Sequence, residues 1–131
     1  MKIFFHIVLV TFISVATQAQ SLLKSSSELN HAIADTAIKK IKPQKSGRTL
    51  KVKYKDGSQQ RIKMDSLWGY KDKKGRIFRL YKNVPYQILK ENEFVTYFIN
   101  SNTTMGPRTY RFYSKTRDSE IVMRKKKLDN I

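Results

Sequence analysis

Few residues in this sequence could carry out acid–base or metal chemistry. It contains no cysteine and two histidines, one of which, His6, lies in an apolar amino-terminal run. The other, His31, follows Glu28 by three residues and precedes Asp35 by four, so the three side chains would share one face of a helix. Such a group could supply the general base and acid of a small basic nuclease. The same spacing is typical of a surface ion cluster, which is the interpretation we favour.

A second candidate for acid–base chemistry is the pair Glu91 and Glu93, on either side of Asn92 at a predicted turn. Paired carboxylates about 5–10 Å apart can hydrolyse glycosidic bonds. Two acids on an exposed turn have no pocket that would raise a pKa, and such residues usually serve solubility. The sequence has no Gly-x-Ser-x-Gly elbow, no glycine-rich phosphate loop and no cluster of metal-binding residues. We therefore expect no catalytic residues, no metal site and no cofactor.

Basic side chains are the most abundant candidates for a function. The chain has 27 Lys and Arg against 10 Asp and Glu, a formal charge of +17, and residues 39–63 alone hold ten basic residues and one acid. Lysines and apolar residues alternate in this segment, which predicts a strand with one charged face. The return strand after the Asp56-Gly57 turn signal carries two more cations. The candidate anion-binding residues are Lys51, Lys53, Lys55, Arg61 and Lys63.

The partner of this charged strand face depends on where the protein works. A solvated face whose lysines block edge-to-edge aggregation needs no partner at all. Outside the cytoplasm the abundant polyanions are lipopolysaccharide phosphates, anionic lipid headgroups, acidic polysaccharide and peptidoglycan, and nucleic acid is not the usual polymer there. If Arg76 or Arg79 shared the face, tyrosines would be interleaved with the cations, as in many polyanion-binding surfaces.

The first 19 residues have the layout of a secretory signal peptide. Lys2 gives a positive start, an apolar run of about a dozen residues follows, and Thr17-Gln18-Ala19 places small residues before a cleavage site. The run is shorter than the roughly 20 residues of a membrane span, and we predict no transmembrane segment after cleavage. Cleavage after Ala19 would remove Lys2 and lower the formal charge from +17 to +16. We expect a periplasmic or secreted protein whose fold, without disulfides, is held by packing alone.

Most of the elements that would position these residues are strands. Residues 22–42 combine a Ser-x-x-Glu start signal with apolar residues every four positions, which predicts one amphipathic helix ending at Pro43. Such a helix would cover the sheet or, alternatively, bind a partner. From residue 48 onward, about eight short strands at roughly 8–12-residue spacing predict an antiparallel meander. Because residues 94–99 are apolar on both faces, the sheet should bend strongly or form a small open barrel.

These assignments give a mainly β fold with one N-terminal helix. They divide the chain into a signal peptide (1–19), a helix with a basic linker (20–47), an antiparallel β domain (48–123) and a basic C-terminal tail with a frayed end (124–131). Residues 100–108 are predicted to be a polar loop, and residues 120–123 a short last strand.

One predicted hairpin, residues 67–83 (LWGYKDKKGRIFRLYKN), contains the single Trp of the chain. Trp68 and Tyr70 fall on one face by the strand period, and we predict that they are structural core residues because large aromatics dominate the burial energy of a small domain. Gly69 has no side chain and would let the Trp68 indole lie across the backbone of a neighbouring strand. Asp72 and Gly75 bracket a turn, since Asp can bond its own backbone and Gly accepts positive φ.

Residues 68–76, WGYKDKKGR, resemble a single unit of the WG-repeat family, which reads Trp-Gly-aromatic, an aliphatic residue, Asp or Asn, two free positions and Gly. Pro85-Tyr86 could stand for the later Pro and Tyr, Lys71 occupies the aliphatic position, and no second copy follows. Asp56-Gly57 followed by residues 65–70, DSLWGY, is similar to a pattern in small uncharacterised secreted proteins of Gram-negative bacteria. Neither resemblance implies catalytic residues or a ligand; both support the hairpin.

The sequence therefore favours a non-enzymatic exported protein of the cell envelope that associates with anionic envelope components. The first alternative is a β module that binds another envelope protein through sheet edges or through the aromatic strands from Tyr97 to Tyr113, with charge serving solubility. A small basic secreted hydrolase or nuclease is the second alternative.

Overall fold

The structure is a computed structural model that describes residues 20–30, 35–44 and 47–131. About half of the described residues lie in strands, and the strands form two antiparallel sheets that do not close into a barrel. The mainly β, antiparallel fold is thus confirmed, whereas the prediction of one bent sheet is wrong. The signal peptide predicted at residues 1–19 and His31 lie outside the described residues.

Nine strands are present in the described parts of the chain. They are β1 (Ser21–Leu23), β2 (Ile38–Pro43), β3 (Thr49–Tyr54), β4 (Gln59–Lys63), β5 (Gly69–Lys71), β6 (Ile77–Tyr81), β7 (Val84–Glu91), β8 (Val95–Thr103) and β9 (Gly106–Ser114). The large sheet has the order β1-β5-β6-β7-β8-β9, and the small sheet has the order β2-β3-β4. A short 3₁₀ turn, Met64–Ser66, follows β4 and separates the small sheet from the meander of the large one.

Local turn chemistry explains the tight hairpins. Gly57 has φ of 88° between β3 and β4, and Gly75 has φ of 78° between β5 and β6. Lys82 and Asn83 both have positive φ between β6 and β7, as a type I′ hairpin turn requires. Pro85, which was predicted to lie in a break, instead lies in β7 opposite Leu80. At this position β7 is not paired with β8, so the missing N–H of proline costs no hydrogen bond to that strand.

The two sheets pack on each other through one hydrophobic core. Leu50 and Val52 of β3 are fully buried, and they share this core with Tyr70 of β5 and Leu80 of β6. A second core lies on the other side of the large sheet, where Tyr97 is fully buried near residues that follow β9. Of residues 94–99, which were predicted to be covered on both faces, Val95 and Tyr97 belong to this second core together with Ile121.

The helix predicted over residues 22–42 is not seen. The described parts of that segment form β1, a 3₁₀ turn at Ser26–Asn30 and β2. Ile38 and Ile41 are both buried although they are three residues apart, because the β2–β3 pairing shifts register between Ile38 and Lys40. A bulge of this kind turns both side chains to one face, so the spacing imitates a helical stripe. Of the predicted helix start at Ser25 and Glu28, only a local hydrogen bond is present: the Glu28 carboxylate accepts from the Lys24 N–H (2.8 Å).

Three further predictions fail near the C-terminus. The segment predicted to be a polar loop at residues 100–108 is a long hairpin, since β8 continues to Thr103 and β9 begins at Gly106. The predicted last strand is reduced to one bridge between Tyr113 and Val122. The tail does not fray: it forms a 3₁₀ turn, Lys125–Asn130, in which Leu128 is buried.

Candidate anion-binding face

The small sheet gathers six basic side chains on its outer face. The strand register places Lys42, Lys51 and Arg61 directly opposite one another across β2, β3 and β4. Lys40 and Lys53 form the row on one side of this central row. Lys63 lies opposite Thr49 in the row on the other side. Alternation explains the arrangement, since Leu50 and Val52 point into the core and their neighbours must point away. We call Lys40, Lys42, Lys51, Lys53, Arg61 and Lys63 the basic face.

The basic face is open to solvent, and none of its cations forms a salt bridge with a described residue. Lys51 and Lys53, on the central strand, are half-buried by their neighbours, and the other four cations are exposed. Among the described residues the salt bridges are Arg76–Asp72 and Arg117–Glu91, both in the large sheet and its loops. Like charges directly opposite on a sheet repel each other. The central row of three cations therefore stores repulsion that a bound anion would relieve.

The structure brings four of the five predicted residues together, namely Lys51, Lys53, Arg61 and Lys63. Lys55 lies just beyond β3 in the hairpin turn, where its N–H donates to the Ala37 carbonyl (2.9 Å). Lys40 and Lys42 were missed because residues 22–42 were assigned to a helix. The sequence feature that could have identified them is the alternation of Lys40 and Lys42 with Ile41 and Pro43, which is typical of a strand with one inner and one outer face.

The composition of the basic face limits what it can recognise. It has five lysines and one arginine, and lysine acts as a hydrated point charge, without the planar fork of arginine. No aromatic residue of β2, β3 or β4 lies on this side, since Tyr54 packs against the core. Neighbouring strands are about 4.8 Å apart and alternate residues about 6.8 Å. The result is a grid of cations suited to multivalent, salt-dependent attraction and unsuited to stacking on rings.

Other predicted site residues lie elsewhere. Arg76 and Arg79 belong to β6 and its preceding turn in the large sheet, so they do not extend the basic face. Arg76 Nε binds the Asp72 carboxylate (2.7 Å), and Arg79 is buried. Tyr70 is buried between the sheets, whereas Trp68 is half-buried and its indole N–H donates to the Arg117 carbonyl (3.2 Å).

The acidic candidates do not form a shared site in the described parts of the chain. Both oxygens of the Glu91 carboxylate accept from Arg117 Nε at 3.0 Å, which holds that group in an ion pair. Hydrogen bonding to Glu91 raises the pKa of Arg117, which favours the charged guanidinium. Residues 20–30, 35–44 and 47–131 contain no group of three or more metal-binding side chains.

A search for membrane-spanning helices gave a negative result for the same residues. No helix there is long and apolar enough to cross a bilayer.

Comparison with known proteins adds no relative. No protein-family model, curated protein or solved structure matches the chain. The WG-repeat resemblance of residues 68–86 therefore stays a sequence-based interpretation, and a function must be argued from the geometry of the sheets.

Proposed function

We propose that this protein is an exported, non-enzymatic component of the cell envelope that associates with anionic envelope material through the basic face. The observation that carries the proposal is the register of β2, β3 and β4, which aligns six cations in three rows without an acid among the described salt-bridge partners. The signal-like first 19 residues favour an extracytoplasmic site of action, where phosphorylated and acidic polymers are the abundant anions.

The expected mode of binding is charge neutralisation. A flat grid of lysines replaces the counter-ions of a polyanion, so affinity should fall steeply as salt rises. The absence of aromatic residues from this side of β2–β4 favours phosphate or carboxylate groups on a surface over stacked bases. Lipopolysaccharide phosphates and anionic headgroups share this chemistry.

Co-sedimentation with purified envelopes across a salt series tests the proposal. The protein would be purified after expression of the full chain, and the variant would carry Lys42→Ser, Lys51→Ser and Arg61→Ser, which removes the central row. With three of six cations gone, the slope of log affinity against log salt should fall by about half. No binding of the unaltered protein at low salt would sink the proposal.

A control variant separates the basic face from net charge. Lys73→Ser, Lys74→Ser and Lys126→Ser remove the same three charges from exposed positions outside the small sheet. This control should bind like the unaltered protein. Equal loss of binding in both variants would show that only total charge matters, and would contradict a role for the register.

The edge of the large sheet favours a second candidate function, binding of a protein partner. β9 is an edge strand, and Val122 bridges it only near its end, at Tyr113. It carries exposed Arg108 and Arg111 and no acid, so an extended acidic segment could add to it as a further strand. Envelope binding that is abolished by Arg108→Glu with Arg111→Glu but not by loss of the central row would favour this candidate.

A further inference from the structure

A cleft of about 380 Å³ lies between the two sheets, away from the basic face. Its small-sheet wall is formed by Ile41 and Pro43 of β2, whose side chains point opposite to the lysines of that strand. Its large-sheet wall includes Tyr70 and Phe78, whose rings stack with centroids 4.9 Å apart. This volume falls within the range of small-molecule sites, roughly 300–1,000 Å³.

Tyr70 gives the cleft a hydroxyl group. The residue is 3% exposed and lines the cleft, and its hydroxyl makes no hydrogen bond to any residue that the structure describes. Burial, and then the nearby Asp72 carboxylate, raise the pKa of Tyr70 above its usual range. The hydroxyl is therefore protonated at neutral pH and can both donate and accept. A ligand in the cleft can exchange a hydrogen bond with this hydroxyl.

The remaining polar groups of the cleft are electrically neutral as a set. The Arg76 guanidinium is paired through Nε with Asp72 (2.7 Å) and lies over the Phe78 ring (5.6 Å from Cζ to the centroid). Gln87 and Asn100 add two carboxamides. The Asn100 Oδ1 accepts from Thr109 (2.9 Å), which leaves its NH₂ as a donor. The local ion pair and the two amides favour an uncharged ligand rich in hydrogen-bonding groups.

We propose that the cleft between the two sheets binds an uncharged saccharide of the N-acetylated amino-sugar class. Apolar surfaces from Pro43 and Pro85 suit the C–H face of a sugar ring, while the Tyr70 hydroxyl and the Arg76 guanidinium suit its hydroxyls. The Gln87 carboxamide offers a donor and an acceptor to an acetamido group, and the Asn100 NH₂ adds a second donor. This site is separate from the basic face and does not depend on the function proposed for it.

Titration by two-dimensional NMR tests the site with N,N′-diacetylchitobiose as the probe and cellobiose as the matched disaccharide without acetamido groups. The expected result is saturable shifts of β2, β5, β6 and β7 amides with the first probe and weaker binding of the second. Tyr70→Phe should weaken binding about three- to tenfold, as expected for one hydrogen bond. Tyr81→Phe, on the opposite face of the large sheet, should leave binding unchanged.

Each other outcome overturns the proposal or part of it. No shifts at millimolar N,N′-diacetylchitobiose, or shifts confined to other surfaces, would refute a saccharide site. Equal affinity for cellobiose would refute the preference for N-acetyl groups. If Tyr70→Phe binds normally, the hydroxyl is not a ligand contact. Gln87→Ala, which removes the carboxamide that β7 contributes, then decides whether the cleft is used: unchanged binding in this variant as well would refute the site. None of these variants touches the basic face, so envelope binding in the salt series remains an independent result.

Discussion

At the scale of single residues, Gly69 is fixed by a close approach of two backbones. A Cβ at this position would clash with the Phe78 carbonyl oxygen and lie 3.3 Å from the Arg79 Cα. Because these are main-chain atoms in paired strands, they cannot turn away as a flexible side chain would. From the sequence we expected Gly69 to make room for the Trp68 indole, whereas the close neighbour in the structure is the β6 backbone.

Replacement of Gly69 by alanine should therefore destabilise the protein. We expect Gly69→Ala to lower the free energy of unfolding by about 1–3 kcal/mol, as overpacking does in other proteins. Urea denaturation followed by circular dichroism measures the change. The control is Gly57→Asn, at a turn with open space and positive φ that Asn tolerates. An unchanged unfolding midpoint for Gly69→Ala would contradict the close approach.

Arg79 is a second residue whose environment is unusual. It is 4% exposed, it has no carboxylate partner among the described residues, and its Nη1 donates to the Tyr97 hydroxyl (3.0 Å). Its guanidinium lies 5.0 Å from the centroid of the Tyr81 ring and 5.9 Å from that of Tyr97. Aromatic faces and one hydroxyl thus take the place of a counter-ion. The hydroxyl also bonds Ser114 (2.8 Å), which links β6, β8 and β9.

Tyr97→Phe tests how much the hydroxyl contributes. A hydrogen bond to a charged group contributes about 1.5–3 kcal/mol, and its loss leaves a buried guanidinium less satisfied. We expect the free energy of unfolding to fall by that amount in urea denaturation. Tyr113→Phe removes a hydroxyl from the same hairpin, at a half-buried position, and serves as the control. Equal stability of the two variants would show that Arg79 does not depend on Tyr97.

At the scale of elements, burial of one face of the small sheet stabilises the fold, while repulsion between the cations of the other face destabilises it. The Leu50 and Val52 side chains anchor β3 in the core, while the opposite face of the same strand aligns Lys51 between Lys42 and Arg61. Neutralising the centre of that row should relieve repulsion even though it removes a binding residue.

We therefore expect Lys51→Gln to raise the free energy of unfolding by a few tenths to about 1 kcal/mol at low salt. The gain should vanish at about 1 M salt, where screening acts over roughly 3 Å. Urea denaturation at two salt concentrations measures both values. Lys126→Gln, a change of the same charge at an exposed tail position, should show no gain. A loss of stability for Lys51→Gln at low salt would argue that the row is not repulsive.

At the scale of the whole molecule, the C-terminal segment completes the fold. Ile121 joins the core that contains Tyr97, and Leu128 is 6% exposed. The Lys125 ammonium lies 4.9 Å from the centroid of the Phe94 ring and 5.5 Å from that of Tyr113. Residues read in the sequence as a frayed tail thus cover the large sheet.

Truncation of the Leu128 side chain tests whether the C-terminal tail is packed on the sheet or frayed. Leu128→Ala should lower the free energy of unfolding by about 2–3 kcal/mol, near the lower end for buried leucines because the site is at the periphery. Thermal denaturation should show a correspondingly lower Tm. Ile131→Ala, at a residue that is 49% exposed, should leave Tm nearly unchanged. Identical Tm values for both variants would support the frayed tail instead.

The sequence by itself determined what depends on near neighbours. Alternation along β3 identified both its buried and its charged face, and Gly57 and Gly75 marked their turns, because strand period and turn geometry are local properties. The mainly antiparallel arrangement followed from the short connections between strands.

Only the tertiary structure decided what depends on distant partners. The segment Ile38–Pro43 is the strand β2 because Ile38 and Ile41 are buried against β3. The spacing of these two residues is typical of a helix and could not reveal the pairing. That pairing also added Lys40 and Lys42 to the basic face. Arg79 is buried because Tyr97 of β8 packs and hydrogen-bonds against it. The inter-sheet cleft exists because two separate sheets form where one was expected. In each case a contact between residues far apart in the chain outweighs the local preference.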